Sequence, residues 1–276
     1  MRRTIRIAAM LLALACLAGC AGQGGGKKVL RVGMECAYAP YNWTQPTNAN
    51  GAVPIKDSRD FAYGYDVIMA KYLADKIEYE LEIHKMDWDS LPPAVMSGTI
   101  DCAIAGQSIT AERLMTLDFT TPYYYASIVC LVRGDSRFAG AAGLSDLSGA
   151  VCTSQLNTVW YDVCLPQVSN ANILPAMETA PAMMVSLVSG ACDLVVTDLP
   201  TAMAATSVYP ELKLLDFTGL DDNFSVSDEE INIGISLKKG NTELLDLLNN
   251  ALKGLTVDDF EEKMDEAIKV QPLEMD

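Results

Sequence analysis

Two charged side chains sit in surroundings that point to chemistry. Over residues 100–113 the chain reads I-D-C-A-I-A-G-Q-S-I-T-A-E-R. Ile100 to Ala105 is apolar with one acid, which suits a buried strand, and Gly106 ends it. Ser108 and Thr110 supply hydroxyls, and Thr110 is set to cap a short helix from Ala111. Arg113 then falls in the first turn of that helix. A cation there opposes the helix dipole, so local stability does not account for its position. A strand end, a small residue, hydroxyls, free helix N–H groups and an Arg fork together form a nook for a carboxylate. The plainer alternative is an Arg paired on the surface with an acid such as Asp118.

The elements that would position this nook occur twice. Ser97 to Ala105 reads S-G-T-I-D-C-A-I-A, and Ser189 to Thr197 reads S-G-A-C-D-L-V-V-T. Each has Ser-Gly, an acid four residues after the Ser, and a small apolar strand. The first strand runs into Gly106 and the second into Asp198. Ligands of α/β sheets gather at the carboxyl ends of strands. Two such ends facing each other put Arg113 and Asp198 on opposite sides of one cleft. Arg for a carboxylate and Asp for an ammonium describe an amino acid.

The run W-D-S-L-P-P-A-V-M-S-G-T-I-D-C-A-I-A-G-Q-S-I-T-A-E-R-L-M-T-L-D-F-T-T-P-Y-Y from Trp88 resembles the signature of the polar-amino-acid-binding proteins of bacterial ABC transporters, solute-binding protein family 3. The resemblance spans nearly the whole chain after its N-terminal segment. It implies an α/β, two-lobed periplasmic-binding-protein type II (Venus flytrap) fold, each lobe a mixed sheet flanked by helices, with two hinge crossings. Lobe 1 is then expected over 29–126 plus 229–276, and lobe 2 over 127–228.

The resemblance also assigns roles. Arg113, with Ser108, the Gly106 region and Thr158, matches the positions that hold the ligand carboxylate. Asp198 matches the residue that takes the ammonium. In E-C-A-Y-A-P-Y, Tyr38 matches an aromatic that packs on the ligand side chain, and Trp88 matches the position across from it. A core aromatic is the alternative for each. Glu35 matches a position that contacts a distal cationic charge, or it is a solvated strand end. Relatives often carry Gln-x-Gly-Thr where this chain has Gln155, Leu156, Asn157 and Thr158. Asn tolerates positive φ better than most residues, so the turn survives the change. Gln155 and Asn157 are further candidates for ligand contact. Asp66, in Gly64-Tyr65-Asp66, reads as a helix-start residue, secondarily near ligand.

Arg2, Arg3 and Arg6 precede an apolar stretch from Ile7 to Ala18, which is a secretory signal too short for a comfortable membrane span. It ends in L-A-G-C at Leu17 to Cys20. This matches the lipobox of bacterial lipoproteins, with Cys20 lipidated after removal of residues 1–19. Residues 20–28 form a Gly-rich tether. The formal charge of −16 over 276 residues disfavours nucleic acid and anionic lipid surfaces. Six cysteines lie beyond the signal, at 36, 102, 130, 152, 164 and 192. Of these, Cys152 and Cys164 flank a short segment and are the best candidates for a disulfide. No C-x-x-C motif, phosphate loop or G-x-S-x-G occurs, and His84 is the only His. No metal or cofactor is expected.

Residues 44–62 are rich in Pro, Asn and Gly and read as a loop. The first hinge is expected at 123–127, and the acidic loop 221–230 contains or precedes the return crossing. Helices are expected over 241–254 and 257–270. The reading is therefore a lipid-anchored receptor outside the cytoplasmic membrane. It captures a polar, possibly cationic L-amino acid for ABC permease subunits and is not an enzyme. Two alternatives use the same fold: a periplasmic cyclohexadienyl (prephenate or arogenate) dehydratase with Glu35 as its acid, or a ligand-sensing subunit for a membrane partner.

Overall fold

The structure is a computed structural model that describes residues 27–272. The signal, Cys20 and most of the tether lie outside the described residues. Along the chain run β1 (Val29–Met34), β2 (Ala37–Tyr38), β3 (Asn42–Gln45), β4 (Val53–Pro54), β5 (Phe61–Tyr63), α1 (Tyr65–Lys76), β6 (Glu80–Lys85), α2 (Leu91–Ser97), β7 (Cys102–Ala103), α3 (Ala111–Leu114), β8 (Leu117–Phe119) and β9 (Tyr124–Tyr125). There follow β10 (Ile128–Arg133), β11 (Val151–Thr153), β12 (Asn172–Ile173), α4 (Ala180–Val188), β13 (Leu194–Asp198), α5 (Leu199–Val208), β14 (Leu212–Leu215), α6 (Asp228–Ile231), β15 (Asn232–Ile233), β16 (Ser236–Lys238), α7 (Thr242–Leu252) and α8 (Val257–Val270).

Two five-stranded mixed sheets form the two lobes. The first has the order β6-β1-β7-β16-β8 and the second β12-β11-β13-β10-β14. In the first, β1 is parallel to β6 and β7, and β16 runs antiparallel to β7 and β8. In the second, β11 is parallel to β12 and β13, and β10 runs antiparallel to β13 and β14. The two sheets thus share one plan. The strands β10 and β13 of the second sheet are buried along nearly their whole length, which is why Ile128 to Val132 and Leu194 to Val196 read as apolar runs.

The sequence repeat is this plan at the level of single bonds. Gly98 and Gly190 adopt φ of +79° and +77°. Asp101 accepts the Arg31 N–H at 2.8 Å, and its own N–H donates to the Arg31 carbonyl. Asp193 does the same with Val151, accepting its N–H at 3.0 Å. The acid four residues after the Ser therefore ties each helix–strand unit to the neighbouring strand.

The chain passes between the lobes at β9 and β15, which pair antiparallel as Tyr125 with Asn232 and Tyr124 with Ile233. The helices α7 and α8 pack on α1, in the first lobe.

Two expectations are corrected. Residues 44–62 are not a plain loop: β4 and β5 join β2 and β3 in a small sheet of order β2-β3-β5-β4. Its strands are two to four residues long, too short for a period to register in the sequence. Cys152 and Cys164 are not bridged; like the other four described cysteines they are free and buried. Each fills core volume as a small apolar side chain. Among the described residues no helix is long and apolar enough to cross a membrane.

Candidate functional site

The carboxyl ends of four strands converge between the lobes. Glu35 follows β1, Gly106 follows β7, Gln155 follows β11, and Asp198 closes β13. The equivalent ends of β1 and β11 meet: Gln155 Nε2 donates to Glu35 Oε1 at 3.3 Å. Glu35 is not a solvated strand end. It is buried, and its Oε2 has no hydrogen-bond partner. Burial pushes its carboxyl up to about 7, and the bond from Gln155 works against that rise.

Arg113 stands where the sequence suggests, with Thr110 capping α3 by accepting the Arg113 N–H at 3.2 Å. Its guanidinium donates to the Ser108 carbonyl of its own lobe and to the Asn157 carbonyl of the other, both at 2.8 Å. It lies over the Trp88 ring at 5.4 Å. Burial lowers its pKa to about 10. Among the described residues it has no carboxylate partner, and Asp118 pairs instead with Lys239 and the Gly240 N–H. The surface-pair alternative therefore fails. A guanidinium that retains donors and lacks a counter-ion is suited to a bidentate anion.

Asp198 is buried and caps α5 by accepting the Thr201 N–H at 2.9 Å. Its second oxygen accepts the Tyr38 hydroxyl at 2.5 Å, across the interlobe space. Burial raises its pKa, while the bonds from Tyr38 and Thr201 oppose the rise. Tyr38 stacks on Tyr41 with ring centroids 4.8 Å apart. Its edge also rests against Gly106. That residue has φ +63°, and a Cβ there would lie 2.7 Å from Tyr38 Cε1. Gly106 is thus required twice, by its backbone and by its neighbour.

In the 155–158 turn Asn157 has φ +56°, as its replacement of Gly suggested. Its Nδ2 donates to Asp89 Oδ1 at 2.8 Å, and Trp88 Nε1 donates to the Leu156 carbonyl at 3.1 Å. The Thr158 hydroxyl donates to the Gln155 carbonyl at 2.7 Å, so it is turned into its own loop.

One small cavity collects Tyr38, Trp88, Gly106, Ser108, Arg113, Gln155 and Thr158, together with Trp160. Its volume of about 10 Å³ holds about one water. A molecule of amino-acid size does not fit the cavity at this volume. Outside it, Arg113, Trp88, Asp89, Asn157 and Asp162 line an open groove of about 530 Å³. Trp160, whose ring tilts against Tyr38 at 6.3 Å, was missed in the sequence. Its only signal is its position two residues after Thr158. Asp89 and Asp66 were also undervalued. Asp66 lies in the first turn of α1, as the sequence suggests, with Gly64 at the cap position. Among the described residues no group of three or more His, Cys, Asp or Glu could hold a metal ion.

Comparison with known proteins bears on this arrangement. The profile for bacterial extracellular solute-binding proteins, family 3, matches residues 30–267. The chain is 27% identical over 262 residues to a probable histidine-binding protein of Neisseria gonorrhoeae, covering 92% of this chain and 90% of that one. It is 32% identical over 145 residues to the arginine-binding extracellular protein ArtP of Bacillus subtilis, a match spanning about half of each chain (52% and 51%). The crystal structure of an ancestral amino-acid-binding protein, described as a precursor of cyclohexadienyl dehydratase, superposes with a TM-score of 0.69. That pair is 27% identical, with 87% of this chain and 95% of the other covered.

Proposed function

Because the chain belongs to the bacterial extracellular solute-binding proteins of family 3, we propose that it captures a cationic L-amino acid between its lobes, outside the cytoplasmic membrane, and delivers it to an ABC permease. The observation that carries this reading is Arg113: half-buried, tied to both lobes, and with no carboxylate partner among the described residues of a strongly acidic protein.

In this reading Arg113 holds the ligand carboxylate, aided by Ser108, the Gly106 turn and Thr158. Asp198 takes the ammonium, exchanging the Tyr38 hydroxyl for it. Tyr38 and Trp88 flank the side chain. Glu35, with one oxygen free of partners and Gln155 beside it, receives the distal cation. A buried carboxylate costs several kcal/mol unless paired, and a cationic side chain supplies the pair. The relatives named for arginine and histidine agree with that charge. We place the hinge at the β9–β15 pair, with lobe 1 at 29–126 plus 229–276 and lobe 2 at 127–228. Cys20 is proposed as the lipid anchor. If so, the chain partitions into detergent through its N-terminus, and Cys20→Ser does not.

A second reading has one observation in its favour. Glu35 has a pKa raised to about 7, as a general acid needs, and a structural neighbour is described as a precursor of a dehydratase. A thermal-shift screen of the purified protein against the common amino acids, prephenate and arogenate separates the two. A ligand at a thousandfold over its Kd adds about 4 kcal/mol of stability. A shift with arginine, lysine or histidine, with the ligand recovered unchanged, supports the receptor. Consumption of prephenate or arogenate without any amino-acid shift replaces it with the enzyme.

A further inference from the structure

We propose that Asp66 is the positioning residue of the binding site: one buried carboxylate that holds both ligand-facing turns of the first lobe and the first crossing strand in place. The inference rests on the proposed site, since it concerns the turns that carry Glu35, Tyr38 and Gly106.

The geometry is a continuous chain of hydrogen bonds. The Cys36 N–H donates to Asn42 Oδ1 at 2.7 Å, and Asn42 Nδ2 donates to Asp66 Oδ2 at 2.7 Å. On the other side the Tyr123 hydroxyl donates to Asp66 Oδ1 at 2.6 Å and accepts the Gly106 N–H at 3.1 Å. Both ends of the chain are residues with positive φ, +54° at Cys36 and +63° at Gly106. Cys36 adjoins Glu35 in the turn after β1. Gly106 opens the turn after β7 and supports Tyr38. Neither N–H belongs to a strand ladder, so each turn depends on this chain for its direction.

Tyr123 adds the crossing. Its N–H donates to the Ile233 carbonyl at 2.8 Å, the Tyr65 hydroxyl donates to its carbonyl, and its ring stacks on Tyr65 at 5.7 Å. The next two residues are β9. Asp66 therefore fastens the point from which the second lobe swings.

The Gly-Tyr-Asp motif builds this. Gly64 has φ +125°, and a Cβ there would collide with the Tyr41 carbonyl. That close approach lets the Asp66 N–H donate to the Tyr41 carbonyl at 2.8 Å and brings its carboxylate beside Asn42. Asp66 is fully buried, and among the described residues no cation pairs with it; its counter-charges are two donors and the N-terminus of α1. A helix-start residue needs no such arrangement.

The test uses Asp66→Asn and Tyr123→Phe in the full protein. Asn42 and Tyr123 donate to different oxygens of Asp66, and an amide presents an oxygen at only one of those two positions. In the unliganded protein, hydrogen exchange at the Gly106 amide should accelerate about tenfold or more in both variants, and at Cys36 in Asp66→Asn. L-Arginine binding by calorimetry should weaken about tenfold in each variant, the size expected when one buried polar group loses its partner. The double variant should bind no worse than the weaker single one, because both cut the same chain.

Unchanged exchange at both amides overturns the proposal, as does wild-type affinity in a variant that is folded but less stable. Multiplicative losses in the double variant overturn the single chain. Tyr63→Phe removes a hydroxyl bonded to Glu266 elsewhere in the lobe and should leave arginine binding unchanged. An equal loss there would mean that general loosening explains the effect. If Asp66→Asn does not fold, Tyr123→Phe carries both measurements. If the wild-type protein binds no arginine, the proposed ligand class fails, and the exchange measurement still decides the role of Asp66.

Discussion

At the scale of single residues, the site is a set of buried charges held short of neutralisation. Arg113 spends two donors on carbonyls and none on a carboxylate. Arg113→Ala should therefore weaken every amino acid that binds by more than about a hundredfold, since a bound carboxylate would lose its only fork. Arg113→Lys should recover only part of this, because a point charge cannot bind bidentately. Asp198→Asn keeps the cap on α5, as Asn and Asp cap equally well, and removes the charge. It should lower affinity with little change in Tm by calorimetry and thermal melting. Glu35 and Asp66 have pKa values raised from 4.5 to about 7 and from 3.8 to about 6. A raised acid stabilises the fold below its unfolded pKa, and that stability is lost as pH rises through the folded one. The unliganded protein should thus melt higher at pH 5 than at pH 7.5. Glu35→Gln should flatten that slope by on the order of 3 kcal/mol. L-Arginine reverses the sign: its affinity should rise by up to about tenfold per unit from pH 5 to 7, then level, whereas glutamine affinity should not follow. A flat arginine profile would remove Glu35 from the cation site.

At the scale of elements, what the sequence revealed is what its physics repeats. The two Ser-Gly-x-x-Asp units were legible because the same helix–strand junction is built twice from the same small residues. The structure adds that Asp101 and Asp193 are structural, bonding the strands beside them at the ends remote from the cleft. Asp193→Ala should lower stability by about 1 kcal/mol, the worth of one part-buried hydrogen bond, and leave ligand affinity untouched. A change in affinity would mean that the junction communicates with the site. The cap at Thr110, the αL turn at Asn157 and the helices α7 and α8 were equally legible, since caps, positive φ and 3.6-residue periods leave local signals. The β2-β3-β5-β4 sheet was not, because strands this short have no period and their pairing is non-local. The first-turn position of Asp66 was legible, but its hydrogen-bond partners were not, for a related reason. Its partners, Asn42 and Tyr123, lie 24 and 57 residues away, and only the folded chain brings them to one carboxylate.

At the scale of the whole molecule, two copies of one sheet plan face each other, so equivalent strand ends supply complementary chemistry. Glu35 meets Gln155, and Tyr38, resting on the Gly106 turn, meets Asp198, while Arg113 reaches from one lobe to the backbone of the other. The lobes are joined covalently only through the paired β9 and β15. Their closed arrangement is held by a few polar ties, by apolar contacts such as Tyr38 with Trp160 and β2 with α4, and by whatever lies between them. Among those ties, Asn157 to Asp89 is exposed, and its Asp89 end is not a proposed ligand contact. It tests closure apart from binding. Small-angle scattering should show L-arginine reducing the radius of gyration of the wild-type protein, as hinge closure requires. Asp89→Ala should enlarge the unliganded protein, because the closed population loses one hydrogen bond worth about 0.5–1.5 kcal/mol. Apparent affinity should fall by the same factor as that population, roughly two- to tenfold, since only the closed form engages both ends of the ligand. The liganded radius should remain that of wild type. Were arginine to bind with no compaction, and Asp89→Ala to change neither radius nor affinity, the molecule would be a preformed pocket and not a hinge.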